Sequence, residues 1–159
     1  MTDLATIAPT FVEMAHRIVW CTVATTGTDG RPNTRILHPI WEWDGTALTG
    51  WIATSPGSPK AADLAHEPAI SLTYWTPTHD TATADCDTEW ELSDDQRQAG
   101  WDRFANGPKP VGYDPSIIPP WTSPTAEAFG ILRLTPHVLR LRDGTVMTRG
   151  SGRTLSWKG

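Results

Sequence analysis

The sequence predicts a mainly β protein, an antiparallel barrel of six to eight strands with two or three short helices packed at its ends. Runs of β-branched and aromatic residues alternate with Asp-Gly and Pro-containing turns, as is typical of strands joined by hairpins. The chain also carries nine Trp, 14 Pro and 13 Gly, and so much aromatic area suits a barrel or a large interface better than a helix bundle. The predicted helices are too few and too irregularly placed for alternating βα units.

Length and composition predict one domain that spans residues 1–159. The formal net charge of -5 argues against a general nucleic-acid-binding protein, which needs a basic surface to displace counterions. No apolar run approaches the length of a membrane span, and the first residues are not typical of a signal peptide, so we expect a cytoplasmic protein. Cys21 and Cys86 lie in strand-like runs without metal-ligand spacing and are predicted to be buried thiols.

The N-terminal half predicts two helices and four strands. Apolar residues near helical spacing predict a helix from Thr6 to Arg17, and Ser58-Pro59 opens a short helix to about His66, with Ser58 as its N-cap. Turns at residues 28–32 and 44–45 predict that the first three strands form a meander. The four strands run over Ile18–Thr26, Asn33–Asp44, Thr46–Ala53 and Ala69–Trp75.

The clearest alternation in the chain runs from Thr81 to Leu92 and predicts a half-buried strand with one wet, acidic face. Ser93 and Gln96 then have the pattern of a capping box, which predicts a helix from Ser93 to about Ala105.

The C-terminal third predicts a loop followed by two strands. The segment Gly107–Thr125 holds six prolines and shows no helical or strand period, which is typical of a functional loop or a rigid lid. Strand character resumes over Phe129–Arg142, with a break near Pro136. An Asp-Gly turn then leads into a last strand, Thr145–Trp157.

Charge is unevenly distributed along the chain. Residues 80–102 carry eight acids and one base, whereas residues 131–159 carry six bases and one acid. These two segments either neutralise each other and face solvent, or the basic C-terminal strands bind an anionic ligand or a second subunit. The sequence leaves both alternatives open.

One segment, Thr54-Ser55-Pro56-Gly57-Ser58-Pro59-Lys60, has the character of an anion site. It follows a strand and opens a helix, so the unsatisfied amides of the helix N-terminus could donate to a phosphate. Its small hydroxyl residues allow close approach, and Lys60 adds a charge-assisted contact. A plain helix cap beside a surface lysine explains the same residues equally well.

Arg35 is the second candidate for anion binding. It lies among apolar strand positions, where a charged residue usually has a partner. The alternative is an arginine on an edge strand.

Four segments occur in an order and spacing that resembles the pyridoxamine 5'-phosphate oxidase-like split-barrel flavoproteins. They are Val23-Ala24-Thr25-Thr26 with Asp29-Gly30-Arg31-Pro32, then Arg35-Ile36-Leu37-His38, then Ser55 to Lys60 with Ala61-Ala62-Asp63-Leu64, and then Pro68-Ala69-Ile70-Ser71-Leu72. The resemblance covers residues 10–142 and is strongest from Thr22 to Trp75. The chain is most similar to the small actinobacterial branch, whose members bind FMN or the deazaflavin coenzyme F-420.

The resemblance implies a split β-barrel homodimer with two cofactor sites at the subunit interface and a small-molecule substrate. Carried over by position, Thr54, Ser55, Ser58 and Lys60 belong to the loop that holds the cofactor phosphate. The isoalloxazine would be lined by Arg35, Ile36, Leu37 and His38. Trp75 and Trp121 are additional candidates for contacts with the ring or the substrate.

The C-terminus departs from this pattern. Pyridoxamine-phosphate oxidases carry an Arg and His pair near the C-terminus, but here the tail reads Arg149-Gly150-Ser151-Gly152-Arg153 and no His follows His137. The resemblance therefore implies a flavin- or deazaflavin-dependent oxidoreductase of another small molecule rather than oxidation of vitamin B6.

Two cofactors fit the sequence. FMN needs one phosphate site, whereas coenzyme F-420 adds a polyanionic tail that would suit the basic C-terminal strands. The acidic chain with its three lysines favours FMN. In either case the bound ring exchanges hydride, so the protein contributes positioning and electrostatics. Arg35 and His38 are the candidates for stabilising the reduced, anionic ring.

Two other functions stay open. The barrel could bind or sequester FMN or haem without turnover, with His38 or His137 as an axial haem ligand. It could also be an interaction protein whose Trp-rich surface serves dimerisation alone.

Overall fold

The computed structural model describes the whole chain, residues 1–159, and confirms a mainly β fold with short helices. Its eight strands are β1 Cys21–Thr26, β2 Pro32–Leu37, β3 Ile40–Trp43, β4 Leu48–Thr54, β5 Ala69–Trp75, β6 Thr81–Glu91, β7 Gly130–Arg142 and β8 Thr154–Lys158. The helices are α1 Leu4–Ile18, α2 Lys60–His66, α3 Asp94–Ala105 and α4 Gly144–Arg149, with a 3-10 helix at Pro115–Ile117.

All strands join one antiparallel sheet, in the order β2-β1-β5-β6-β7-β4-β3, with β8 also paired to β7. The two predicted hairpins are present, since β1 pairs with β2 and β3 pairs with β4. The continuous meander is wrong, because β2 and β3 lie at opposite ends of the strand order and β4 lies against β7. The reason is Pro39, which has no N–H for a strand ladder. It divides the predicted strand Asn33–Asp44 into β2 and β3, which form the two unpaired edges of a split barrel.

Helix α1 supplies the centre of the larger core. Its residues Ile7, Ala8, Phe11, Met14 and Ala15 recur at helical spacing and are all buried. The ring of Phe11 meets that of Trp41 edge-to-face, with centroids 5.0 Å apart.

The buried polar atoms around this aromatic group are paired with one another. The indole N–H of Trp41 donates to the Tyr74 hydroxyl at 2.9 Å, and the Trp41 backbone N–H donates to Nε2 of His16 at 3.0 Å. Burial lowers the pKa of His16, which keeps this acceptor nitrogen unprotonated at neutral pH.

The predicted capping box at the start of α3 is confirmed. The Ser93 hydroxyl accepts from the Gln96 backbone N–H at 3.2 Å, and the Gln96 side chain accepts from the Ser93 backbone N–H at 3.2 Å. Gly100 lets α3 approach β7, since a Cβ there would collide with the side chain of Ile131. This contact supports a second core that also contains residues of the Pro-rich segment 107–125.

The acidic and basic segments neutralise each other in part, because β6 pairs with β7. Arg133 lies opposite Glu89, with which it forms an ion pair, and its Nε lies 3.3 Å from a carboxylate oxygen of Glu91. Arg140 pairs with Asp85 at 3.0 Å. Three bases of the C-terminal segment form no ion pair with an acid: Arg142, Arg149 and Lys158.

Two expectations for the C-terminal third need correction. Strand β7 is continuous through Pro136 and accommodates it by a register shift opposite Asp85 and Cys86. The predicted strand Thr145–Trp157 is wrong in its first half, where residues 144–149 form α4. Gly150 ends this helix in the left-handed conformation, φ 69°, which glycine adopts without steric cost.

The cysteines behave as predicted. Cys21 and Cys86 are 2% and 0% exposed and form no disulfide. Burial raises the pKa of Cys21 to about 12.

None of the helices combines the length and the apolar character that crossing a membrane requires.

His16→Ala is expected to lower the free energy of unfolding by about 1–3 kcal/mol, because it leaves the buried N–H of Trp41 without an acceptor. Chemical denaturation at pH 7.5 measures the loss. His66→Ala is the matched control, since His66 is exposed on α2 and should change stability little.

Wild type and His16→Ala are also expected to differ in how the free energy of unfolding depends on pH. The pKa of His16 is lowered below 6.5 in the folded state, so the neutral imidazole contributes stability above pH 6.5 that is lost as the pH falls through the folded pKa. The difference between wild type and His16→Ala should therefore shrink on acidification. A difference that stays constant from pH 7.5 to 4.5 would contradict this role.

Candidate functional site

Buried polar groups are rare in this protein, and most of them surround the predicted anion loop. Only five polar or charged side chains are buried: Thr25, Thr54, Lys60, Asp63 and Thr76. The first four belong to β1, β4 and α2, the elements that carry or contact the loop. Burying a polar group costs free energy unless it is paired, so the partners of these groups indicate what the site is for.

Lys60 is the only buried lysine or arginine, with 8% of its surface exposed. Its Nζ donates to the Ser58 hydroxyl at 2.7 Å and forms no ion pair with a carboxylate. An ammonium carries three donors, so two of them have no acceptor in the chain. Burial first, and then the positive charge of Arg35, lower the pKa of Lys60 from 10.5 to about 8.

The guanidinium of Arg35 is held in place by Thr25 and Asp63. Nη1 of Arg35 donates to the Thr25 hydroxyl at 2.7 Å, which in turn donates to the Asp63 carboxylate at 2.6 Å. Nη2 of Arg35 lies 3.5 Å from the same carboxylate oxygen, and the Asn33 side chain donates to it at 3.0 Å.

These contacts decide the charge of the site. Hydrogen bonds from Thr25 and Asn33, together with the charge of Arg35, lower the pKa of Asp63, so this carboxylate is ionised at neutral pH. Asp63 is then paired with Arg35, while Lys60 has no carboxylate partner. Glu127 lines a cavity with Ser55 and Gly57 on the other side of the loop. Arg35 lies on the edge strand β2 and has an acidic partner in Asp63, and its role in anion binding stays a prediction.

The hydroxyl-rich loop is folded mostly upon itself. The Ser58 hydroxyl donates to the Ser55 carbonyl at 2.7 Å, and the Ser55 hydroxyl accepts from the Gly57 N–H at 3.3 Å. The N–H groups of Ser58 and Ala61 also donate within the loop. The amides of Gly57, Ser58 and Ala61 are therefore already engaged within the loop.

The prediction that Ser58 caps α2 is wrong. The helix begins one residue later than expected, at Lys60, with Pro59 in the cap position and no side-chain cap. The Ser58 hydroxyl is instead engaged by Lys60 and the Ser55 carbonyl.

An apolar cavity of about 470 Å³ lies at the ends of β2 and β4. Adjacent side chains of a strand point to opposite faces, so Arg35 and Ile36 lie on opposite faces of β2. Nine of its eleven lining residues are hydrophobic, and none is an acid, lysine or arginine. The end of β2 contributes Ile36, Leu37 and His38, and β4 contributes Ala53. Since Arg35 directly precedes Ile36 and Ala53 directly precedes Thr54, the cavity and the charged site share two strands.

His38 anchors the Pro-rich segment 107–125 to the end of β2. Its Nε2 lies 2.7 Å from the Val111 carbonyl oxygen, which can only accept, so Nε2 carries the proton. Burial lowers the pKa of His38, and the ring is neutral at pH 7. Its other nitrogen, Nδ1, is an acceptor without a partner in the chain.

A strained turn positions one wall of the cavity. Val19 has φ 73° and ψ -62°, and the Trp20 N–H donates to the Ile18 carbonyl at 2.9 Å. This geometry is a γ-turn of the rare, strained kind, which a β-branched residue seldom adopts. It places Trp20 against the ring of His38, with centroids 4.9 Å apart. Strain of this kind is concentrated at functional sites in proteins.

The remaining predicted residues are divided between the cavity and the surface. Trp121 is 8% exposed and lines the cavity. Trp75 is 54% exposed, does not line the cavity and packs against His79, with ring centroids 5.9 Å apart. His137 lies half-exposed on the irregular part of β7, 4.0 Å from Asp87.

Sequence reasoning missed Asp63, Thr25 and Trp20. Asp63 follows Lys60 by one helical turn, which places both on one face of α2, and that spacing was a usable signal. The role of Thr25 depends on the pairing of β1 with β2, in which Thr25 lies opposite Asn33. Trp20 is positioned by the turn at Val19, and no local sequence pattern predicts that turn.

Solved structures of the same fold cover most or nearly all of the chain. A Clostridium acetobutylicum protein related to general stress protein 26 has a TM-score of 0.69 at 14% identity, over 99% of this chain and 96% of that chain. A pyridoxamine 5'-phosphate oxidase-related, FMN-binding protein from Nostoc punctiforme has a TM-score of 0.68 at 18% identity, over 99% of this chain and 90% of that chain. An F420 reductase has a TM-score of 0.55 at 13% identity, over 78% of this chain and 90% of that chain.

No curated protein is significantly similar to the chain in sequence. The family model of pyridoxamine 5'-phosphate oxidase, however, matches residues 7–142. That range contains the charged site and the cavity, and it ends before α4 and β8. By this match over most of its length, the chain belongs to the pyridoxamine 5'-phosphate oxidase family.

Proposed function

We propose that the protein is an oxidoreductase that binds FMN, or alternatively the deazaflavin coenzyme F-420, and acts on a small molecule. The observation that carries the proposal is the buried Lys60 ammonium without a counterion beside an apolar cavity. A buried charge without a partner is costly. A phosphate would supply the missing charge and acceptors, and a flat apolar ring attached to it would lie along the β2 side of the cavity.

The residues present fit such a cofactor. Lys60, Ser55 and Ser58 would contact the phosphate, with Arg35 behind them as a second positive charge held by Asp63. The ring would lie along Ile36, Leu37 and His38, all of which line the cavity. The names of two solved relatives point the same way, since one is an FMN-binding protein and another an F420 reductase.

The positions of the basic residues favour FMN. Thr54 pairs with Gly130 at one end of β7, and Arg140 lies ten residues further along the strand, roughly 33 Å away at ~3.3 Å per residue. The unpaired base Arg142 is at that far end, and Lys158 lies opposite Val138. Within one subunit they are out of reach of an anionic tail that starts at the loop.

The bound cofactor would supply hydride transfer, and the chain would supply position and charge. Arg35 does not line the cavity, so its positive charge would act on the phosphate side of the cofactor. His38 is neutral and holds the Pro-rich segment 107–125 against the cavity. The Arg149–Arg153 tail, which lacks a histidine, favours a substrate other than the B6 vitamers.

A second copy of the chain would complete the site. Ile36 lies opposite Thr22, and Thr22 lies opposite Thr73, so these three side chains share the outer face of the sheet, and all are exposed. Two tryptophans extend the same face, Trp20 at 59% and Trp75 at 54% exposed. Because Trp20 and Ile36 also line the cavity, a homodimer through this face would place partner residues, and Trp75, around the cofactor.

The haem-binding alternative has less support. Nε2 of His38 already donates to the Val111 carbonyl, and His137 lies half-exposed beside Asp87. His137 does not line the apolar cavity, which leaves Nδ1 of His38 as the one candidate ligand there.

Lys60→Met is expected to weaken FMN binding about 10–100-fold, because a hydrogen-bonded charge contact contributes roughly 1.5–3 kcal/mol. Quenching of FMN fluorescence measures the affinity. The cofactor-free variant should be at least as stable as wild type at pH 7, because methionine has no charge to bury. Lys158→Met is the control, since Lys158 is exposed on β8. Unchanged affinity in Lys60→Met would remove this residue from the site.

FMN affinity should fall as the pH rises through about 8, the pKa of Lys60 in the free protein, because the neutral amine no longer attracts phosphate. The cofactor-free protein should show the opposite trend. The pKa of Lys60 in the folded state lies below the usual 10.5, so the unfolded chain binds more protons than the folded one between pH 8 and 10.5. The contribution of Lys60 to the free energy of unfolding therefore increases as the pH rises through this range. If FMN affinity and the stability of the cofactor-free protein changed in the same direction with pH, the assignment of Lys60 to the phosphate site would be contradicted.

Native mass spectrometry is expected to show a dimer with two bound cofactors. Thr73→Arg places a charge at the centre of the proposed interface and should shift the mass to the monomer, whereas Met147→Arg on the exposed helix α4 should not. A wild-type protein that is monomeric at micromolar concentration and still binds one FMN per chain would rule out the interfacial site.

A further inference from the structure

The Pro-rich segment 107–125 forms the wall of the cavity that faces the end of β2. It contributes Pro110, Tyr113, Ile117, Ile118 and Trp121. A cofactor ring seated along the β2 wall would leave this opposite wall to the substrate, so the character of this wall determines what the enzyme accepts.

The segment is anchored at three points and exposed between them. Val111 is fully buried and its carbonyl accepts from His38. The Tyr113 N–H donates to the Phe104 carbonyl at 2.9 Å. Trp121 packs against Phe129 with ring centroids 5.2 Å apart. With its prolines, the segment is therefore a fixed surface rather than a loose loop.

Between these anchors, Ile117 and Ile118 are 65% and 36% exposed. Both line the cavity. Apolar side chains held open to solvent on a fixed wall are typical of a binding surface rather than a core.

The cavity offers aromatic surface and very little polarity. The rings of Trp20, Tyr113 and His38 are grouped there, with His38 at 4.9 Å from Trp20 and 4.8 Å from Tyr113. No lysine, arginine, aspartate or glutamate lines it. The one unsatisfied polar atom of its histidine is Nδ1, an acceptor. A charged group placed here would lose part of its hydration and find no compensating charge among the lining residues.

We infer that the Pro-rich wall selects an uncharged, planar aromatic substrate, of the size of one or two fused rings, and rejects phosphorylated or carboxylated ones. The inference rests on the proposed function, since it places the substrate beside the cofactor ring. It concerns recognition alone, so binding measurements test it without turnover.

The test compares two probes of similar size by calorimetry on the FMN-loaded dimer. Menadione is an uncharged naphthoquinone, and pyridoxal 5'-phosphate is a charged, phosphorylated ring. Menadione should bind at least about tenfold more tightly, because the cavity pairs no charge. Equal or tighter binding of pyridoxal 5'-phosphate overturns the inference, and so does menadione binding that is undetectable at millimolar concentration.

A variant locates the binding surface. Ile117→Asp adds a carboxylate to the exposed part of the wall and should weaken menadione binding at least about tenfold, measured on protein saturated with FMN. Met147→Asp is the matched control, because Met147 is also exposed, at 59%, and does not line the cavity. Unchanged menadione affinity in Ile117→Asp overturns the inference.

The two proposals fail in distinguishable ways. Loss of the proposed function would appear as absence of FMN and coenzyme F-420 binding, measured with each cofactor alone. Failure of the present inference would appear as normal cofactor binding together with equal affinity for the uncharged and the charged ring.

Discussion

The burial of one ammonium group constrains the rest of this site. Lys60 is almost entirely covered by protein, yet its only partner is a serine hydroxyl. The neighbouring charges do not relieve it, because Asp63 is already satisfied by Thr25, Asn33 and Arg35. Evolution could remove this cost with a methionine at position 60. Retention of the charge is explained if the site binds an anion.

Much of the fold follows from local rules, and the exceptions have identifiable physical causes. Period-two alternation predicts β5 and β6 well, and Ser93 with Gln96 predicts the start of α3, because these signals depend on nearest neighbours. The meander fails because Pro39 ends one strand at an edge and the next strand begins at the other edge. The helix at residues 144–149 was missed because an Asp-Gly pair favours a turn as readily as a helix start.

The candidate site was predictable only in part, for the same reason. The loop from Thr54 to Lys60 and the arginine at position 35 carry local signals of residue type and spacing. The contacts that give them meaning join β1, β2 and α2, which lie far apart in sequence, so Asp63 and Thr25 become visible only in three dimensions. The features that break local rules are a buried cation, a strained Val19 and exposed isoleucines on a fixed wall. Val19 and the isoleucines line one cavity, and the cation follows β4, which contributes Ala53 to that cavity, as expected where function overrides stability.

The most direct test of this account is an NMR titration of the Lys60 side chain, which is simple to assign because the chain has three lysines. In the cofactor-free protein Lys60 is expected to have a pKa of about 8. Saturation with FMN should raise that pKa toward the ordinary 10.5, since a phosphate stabilises the charged amine. A pKa that is already ordinary in the free protein, or that saturating FMN and coenzyme F-420 both leave unchanged, would contradict it.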